Sequence, residues 1–340
     1  MNFRCDFAIG RRLARIFLSA ACLLWASSAG PTGCGPHRRV TIAVIPRTEG
    51  TVIWEAAHVG AELAARRSGV SIYWSAPTRE DDVEGQIALV ERAVKRHYDG
   101  LVLAPDQALS LITPVDSALQ HGTPTVIIGS PLPIPAGGEL SYILNDDAEG
   151  GRMAARRIAT LLHGHGTVAV LGIDPDVTAI MIRYRAFEEY LVQNCPGIRI
   201  AERRMGSFNF PHEQQVAEET LKAHPDLEAI VALMSTSVDA TLSVLASGSE
   251  GHPVKVVGFD VAGWPLFDRS SLDSVVQEDT RSMGERAVES IEAERSGAAV
   301  PAVTKIPPVV ITRDNLNSAQ VQEVMAQDWT LGRWNWSIVQ

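Results

Sequence analysis

The stretch VTIAVIPRTEGTVIWEAAHVGAELAARRSGVSIYWS, Val40 to Ser75, decides the fold. TIAVIP is a short apolar run rich in β-branched residues, the composition of a buried strand. Apolar residues then return at helical spacing. Ile53, Ala57, Gly60 and Ala64 form one stripe, with Val52, Ala56, Val59 and Leu63 beside it. VSIYWS is a second strand. Strands that are apolar throughout, joined by a helix, belong to a parallel sheet covered on both faces.

Outward from this unit the alternation continues. Thr78 is expected to cap a helix whose first turns hold Glu80, Asp81 and Asp82, acids placed where the helix dipole favours them. Its core stripe is Val83, Ile87, Val90 and Val94. DGLVLAP, TPTVIIGS and SYILND are further strands, with an apolar helical stretch at Leu109–Leu119 between the first two. A second run begins near Asp147, with strands TVAVLG, IRIAERRM, LEAIVAL and VKVVGFD and helices at 148–162, 179–193, 212–222 and 235–247. A strand at DSVVQ, a helix at 280–295, a strand at PPVVI and a helix at 317–327 complete the pattern. Two such runs imply two lobes. In parallel α/β sheets, ligands bind where strand carboxyl ends lead into helices. The polar residues to examine are therefore Arg47 to Thr51, Asp106, Gln107, Ser130, Asp146, Asp147, Asp174 to Thr178, and Asp260.

The chain has 340 residues and a formal net charge of −10, an acidic balance that argues against nucleic acid or anionic lipid as the main partner. Its N-terminus is different. Arg4, Arg11, Arg12 and Arg15 precede the uncharged run Ile16 to Gly30, the pattern of an export signal over residues 1–33. Pro31-Thr32-Gly33-Cys34 resembles the bacterial lipoprotein box, in which a lipid is attached to the cysteine after cleavage, leaving 34–39 as a linker. The rival cleavage site follows Ala29, where Ser27 and Ala29 give a small-x-small pattern. Cys5 and Cys22 leave with the signal, so at most Cys34 and Cys195 remain; with Cys34 lipidated, Cys195 has no partner and a disulfide framework is excluded.

Other motifs carry less. No Gly-x-Gly-x-x-Gly follows the first strand and no phosphate-binding loop is present, so no nucleotide cofactor is expected. Gly150-Gly151 opens a helix, and tight packing explains it as well as anion binding does. His163-Gly164-His165 reads as a solvated turn rather than a metal site. Asp260 and Glu278 are candidate glycosidase acids by residue type alone. With no nucleophile, metal set or cofactor loop, an enzyme is not expected. The tail 329–340 carries Trp329, Trp334 and Trp336.

From Val40 to about Leu316 the chain resembles a type I periplasmic substrate-binding protein of the ribose/galactose group, the fold shared with lactose-repressor-like ligand domains. The resemblance is carried by TIAVIP with Trp54 and Gly60, DGLVLAP, HGTPTVII, ILNDDAEGGRMAA, Arg183-x-x-Ala-Phe187, AHPDLEAI, VKVVGFD, and MGERAV followed by PPVVITRDNL. It implies an α/β fold of two interleaved lobes joined by three hinge crossings, near Asn145–Asp147, Gln277–Asp279 and Ile306–Pro308. The N-terminal lobe would be 40–145 plus 279–306, and the C-terminal lobe 147–277 plus 308–328.

The resemblance also implies a ligand site. Trp54 and Phe208 fall where aromatic rings stack on a sugar, Arg183 where an arginine meets sugar hydroxyls, and Asp260 where an aspartate accepts them. Arg47, Thr51, Gln107, Ser130 and Ser235 complete the expected lining. Glu278 stands where a glutamine or asparagine is common, Ser130-Pro131 replaces a charged pair or an asparagine, and Met234-Ser235 replaces Asn-Asp. Ribose itself is therefore doubtful, and a different sugar, a polyol or a more charged ligand is expected. The implied function is an exported, lipid-anchored binding protein that delivers its ligand to ABC permease subunits. The alternative is a periplasmic sensor presenting its ligand to a membrane receptor or kinase. A transcription factor would need a helix-turn-helix before the first strand, where the 39 residues before Val40 hold the export signal.

Overall fold

The computed structural model describes residues 38–79, 81–247, 254–261, 267 and 271–325. The export signal, Cys34 and the tryptophan-bearing tail lie outside the described residues.

The first sheet holds β1 (Thr41–Ile45), β2 (Ser71–Trp74), β3 (Gly100–Leu103), β4 (Thr125–Gly129), β5 (Leu140–Asn145) and β11 (Val303–Ile306), in the order β11-β5-β4-β3-β1-β2. Helices α1 (Val52–Ser68), α2 (Val83–Lys95), α3 (Ile112–Gln120) and α8 (Thr280–Arg295) cover it. Because side chains alternate along a strand, Ile42 and Val44 of β1 enter the core beneath α1 and α8. Ala43 and Ile45 enter the core beneath α2 and α3.

The second sheet holds β6 (Gly166–Ile173), β7 (Ile198–Met205), β8 (Ala229–Ala232), β9 (Lys255–Phe259), β10 (Leu272–Gln277) and β12 (Val309–Thr312), in the order β12-β10-β9-β8-β6-β7. Val168 and Val170 pack with Phe187 on one face, Ala169 and Leu171 with Val216 on the other. Its helices are α4 (Asp147–Leu161), α5 (Thr178–Asn194), α6 (Phe210–Ala223), α7 (Ser235–Ser247) and the short α9 (Ala319–Val324).

The chain passes between the sheets after β5, after β10 and between β11 and β12. The first two passages end in an aspartate that caps the next helix. Asp146 accepts from Glu149 N at 3.3 Å and Asp279 from Ser282 N at 2.9 Å. At the third, only Pro307 and Pro308 separate the strands. β12 therefore enters its sheet from the carboxyl ends of the other strands and runs antiparallel to β10. This corrects the expectation of a wholly parallel sheet, and it follows from the absence of a crossover helix.

Local differences have physical causes. β11 was not expected, because VTKI is a polar-alternating edge strand with Val303 exposed. The buried stripe of α1 is Trp54, Ala57, Ala61 and Ala64, with Val52, Val59 and Leu63 only half-buried. The cap of α2 is Asp82, accepting from Gly85 N at 3.0 Å, and not Thr78. Gln86, fully buried, takes a place on the α2 face that periodicity assigns to apolar residues. Gly151 presses against the backbone of α5, where a Cβ would lie 2.3 Å from Arg183 O, so helix packing accounts for the glycine pair. Among the described residues no helix is long and apolar enough to cross a membrane.

Candidate functional site

The carboxyl ends of both sheets face one cleft, lined by residues that follow the strands of each sheet. From the first lobe come Arg47 after β1, Ile53 and Trp54 at the start of α1, and Gly129 and Ser130 after β4. From the second come Val177, Ala179, Ile180 and Arg183 at the start of α5, Phe208 after β7, and Met234 and Ser235 after β8. Asp260 after β9 and Glu278 after β10 complete it.

Arg183 is the centre of the second lobe's wall. Its Nε donates to Asp147 Oδ1 at 2.6 Å, and its Nη1 donates to Asp260 Oδ2 at 2.8 Å and Leu233 O at 3.3 Å. Its Nη2 is ion-paired with Glu278. All four charged residues are buried. Asp260 holds a left-handed backbone, φ 52°, uncommon for a residue with a Cβ. The geometry is held by its N–H to Val276 O at 3.1 Å and by its Oδ1, which accepts from Glu278 N at 2.9 Å. Burial pushes the Asp147 and Asp260 carboxyls up, and the Arg183 guanidinium beside them opposes but does not cancel it.

The first lobe contributes a second buried pair. Arg47 Nε and Nη2 both donate to Asp106 Oδ1 at 3.1 Å. Gln86 positions the aspartate, accepting from Asp106 N at 2.9 Å while its Nε2 donates to Pro46 O and Ala104 O. Burial raises the Asp106 carboxyl, with Arg47 opposing. The Arg47 guanidinium lies 4.3 Å from the centre of the Phe208 ring, so a cation–π contact spans the cleft. Ser130 Oγ accepts from Ala179 N at 3.3 Å, and Gln107 Nε2 donates to Asp176 Oδ2 at 3.4 Å. The lobes thus touch across the cleft.

Of the residues expected from sequence, Arg47, Trp54, Ser130, Arg183, Phe208, Ser235, Asp260 and Glu278 line this one cleft. Thr51 and Gln107 are not in its lining. Thr51 occupies the N-cap of α1 with a buried hydroxyl that has no hydrogen-bond partner among the described residues. Gln107 bridges the lobes at the rim. Trp54 belongs both to the cleft wall and to the core of the first lobe, with 6% of its surface exposed. Asp147, identified from sequence only as a polar residue following a strand, is the carboxylate that meets Arg183 Nε, while Gln86 was not expected at the site. The sequence signal for Gln86 was a polar residue three positions after a helix's first residue, on its apolar face. Asp260 and Glu278, considered as an acid pair, converge on one guanidinium. Among the described residues no group of three or more His, Cys, Asp or Glu could hold a metal ion.

Two α/β lobes, each a mostly parallel sheet between helices, closing strand ends on a polar cleft with aromatic walls, define a class of ligand-capturing proteins. The chain belongs to the family described as "Periplasmic binding protein domain", whose model matches residues 42–299. Members of this family are extracytoplasmic binding proteins. The chain is 25% identical over 299 residues to the ribose import binding protein RbsB of Bacillus subtilis, covering 86% of this chain and 94% of the relative. It is 24% identical to the D-allose-binding periplasmic protein of Escherichia coli, covering 76% of this chain and 86% of that one. Its fold matches a solute-binding protein from Agrobacterium vitis bound with α-D-tagatopyranose, TM-score 0.78 at 22% identity, over 84% of this chain and 99% of the other. It also matches a glucose-galactose binding protein from Geobacillus stearothermophilus, TM-score 0.75 at 21% identity, over 82% and 99%.

Proposed function

We propose that this protein captures a small sugar or polyol between its two lobes and delivers it to an ABC importer. The carrying observation is the cleft itself. Trp54 and Phe208 offer flat faces for the C–H side of a sugar ring, while buried guanidinium and carboxylate groups offer strong bonds to hydroxyls. Relatives named for ribose and allose binding support the ligand class. In this reading Arg47, Ser130, Arg183, Ser235, Asp260 and Glu278 meet the polar edge of the ligand. The lobes, 40–145 plus 279–306 and 147–277 plus 308–328, close about the three crossings. Thr51 and Gln107 act at the periphery, one at the start of α1 and one at the rim.

A thermal-melting screen of the purified protein against sugars and polyols tests the reading. A ligand at 100 times its Kd stabilises the fold by roughly 2.7 kcal/mol, a readable shift. Phe208→Ala, at a half-buried position, should keep the fold and lose most of that shift. A folded protein indifferent to the whole panel overturns the sugar assignment.

Cys34 carries a lipid in the same proposal, anchoring the protein at the outer face of a membrane. Cys34→Ser should move the protein from the membrane fraction to the soluble fraction of cells; unchanged fractionation refutes the anchor.

A further inference from the structure

The ion pairs at and behind the cleft wall hold an imbalance of charge. Two guanidiniums, Arg47 and Arg183, pair with four carboxylates: Asp260 and Glu278, which line the cleft, and Asp106 and Asp147 behind them. Arg47 is ion-paired with Asp106, with Asp174 near enough to feel its charge, while at Arg183 three carboxylates converge on a single cation. Arginine has five N–H donors. Bonds to Asp147, Asp260, Leu233 O and Glu278 engage four of them. A ligand meeting this wall therefore finds mainly acceptors, and an anionic group placed there would face three buried carboxylates with one N–H to receive it. Uncompensated buried charge is costly, and a cation brought by the ligand would relieve it.

We propose that the preferred ligand is an amino sugar or amino polyol whose ammonium group lodges against Glu278 and Asp260. The inference rests on the sugar-binding reading and narrows it. Glu278 both lines the cleft and supplies the third carboxylate. An ammonium presents three donors and a full charge to these acceptors, where a hydroxyl presents one donor and no charge.

Titration calorimetry of the purified protein at neutral pH with matched pairs decides the matter: galactose and galactosamine, glucose and glucosamine, mannose and mannosamine, glucitol and 1-amino-1-deoxyglucitol. At least one amine should bind tenfold or more tighter than its neutral parent, and its N-acetyl form should lose that gain. Glu278→Gln should erase the preference, read as the ratio of the amine's affinity to its neutral parent's in the same variant. Neutral parents that bind as well as every amine overturn this inference and leave the sugar reading standing. A preference that survives Glu278→Gln also overturns it. If that variant does not fold, the wild-type pairs and the N-acetyl control decide alone. Should no neutral or amino compound bind, both readings fall together.

Discussion

Arg183 holds three carboxylates in place, and its removal separates its structural from its binding role. Arg183→Met keeps side-chain bulk but leaves Asp147, Asp260 and Glu278 buried around no cation. Breaking a buried pair in this way costs about 3–5 kcal/mol. The cost should depend on pH with a definite sign. The Asp147 and Asp260 carboxyls already sit above their ordinary value in the folded protein. Their contribution to stability is therefore full below the ordinary carboxylate pKa and lost as pH rises through the raised one. Without Arg183 they rise further, so the deficit of the variant should be largest near neutrality and shrink on acidification. Urea unfolding of both proteins at about pH 7.5 and about pH 4.5 measures it; a deficit equal at both would show that lost packing dominates. At the other wall, Arg47→Met should destabilise more than Arg47→Met combined with Asp106→Asn. The first leaves Asp106 charged and unpaired, so the coupling should fall within about 0.5–3 kcal/mol in a double-mutant cycle.

Helix α1 contributes Trp54 to the cleft, and its position depends on how closely it meets α8. A Cβ on Gly60 would lie 2.0 Å from Arg281 O, and one on Gly284 2.0 Å from Ala57 O. Both obstacles are backbone, so neither can swing aside. Gly60→Ala should therefore force the helices apart, at a cost of about 1–3 kcal/mol or more, seen as a lower urea midpoint. A variant as stable as the wild type would mean that the crossing can widen freely. Gly151→Ala acts on α5 in the same way and displaces the segment bearing Arg183, so ligand affinity should fall along with stability. The elements themselves were largely legible. β1, α1, β2 and the paired runs of strand and helix follow from periodicity, because each buries one face or two against a neighbouring layer. The cap at Asp82, the edge strand β11 and the reversed β12 were not. Each is set by what lies next to the element in space: a free edge, a short proline crossing, or a competing acid.

At the scale of the molecule, the lobes meet through Arg47 over Phe208, Ser130 with Ala179, and Gln107 with Asp176. A ligand touching both walls binds the closed arrangement better than an open one and shifts the population toward it. Small-angle scattering should show a smaller radius of gyration at saturating ligand than without it; an unchanged radius would mean that the lobes are already closed when free. The residues just after each strand were identifiable from sequence as cleft candidates, because a parallel sheet delivers its carboxyl ends to one edge whatever the side chains are. Most of the expected site residues line one cavity for that reason, while Thr51 and Gln107 belong to the same loops and stand outside it. Periodicity thus determined the α/β class, the two runs of strands and the end of each sheet where a ligand would meet the chain. Only the tertiary structure decided which charges face one another. Arg183 meets carboxylates 36 and 77 positions away, and the helix turn and loop strain that aim them depend on packing between layers, which no local pattern records.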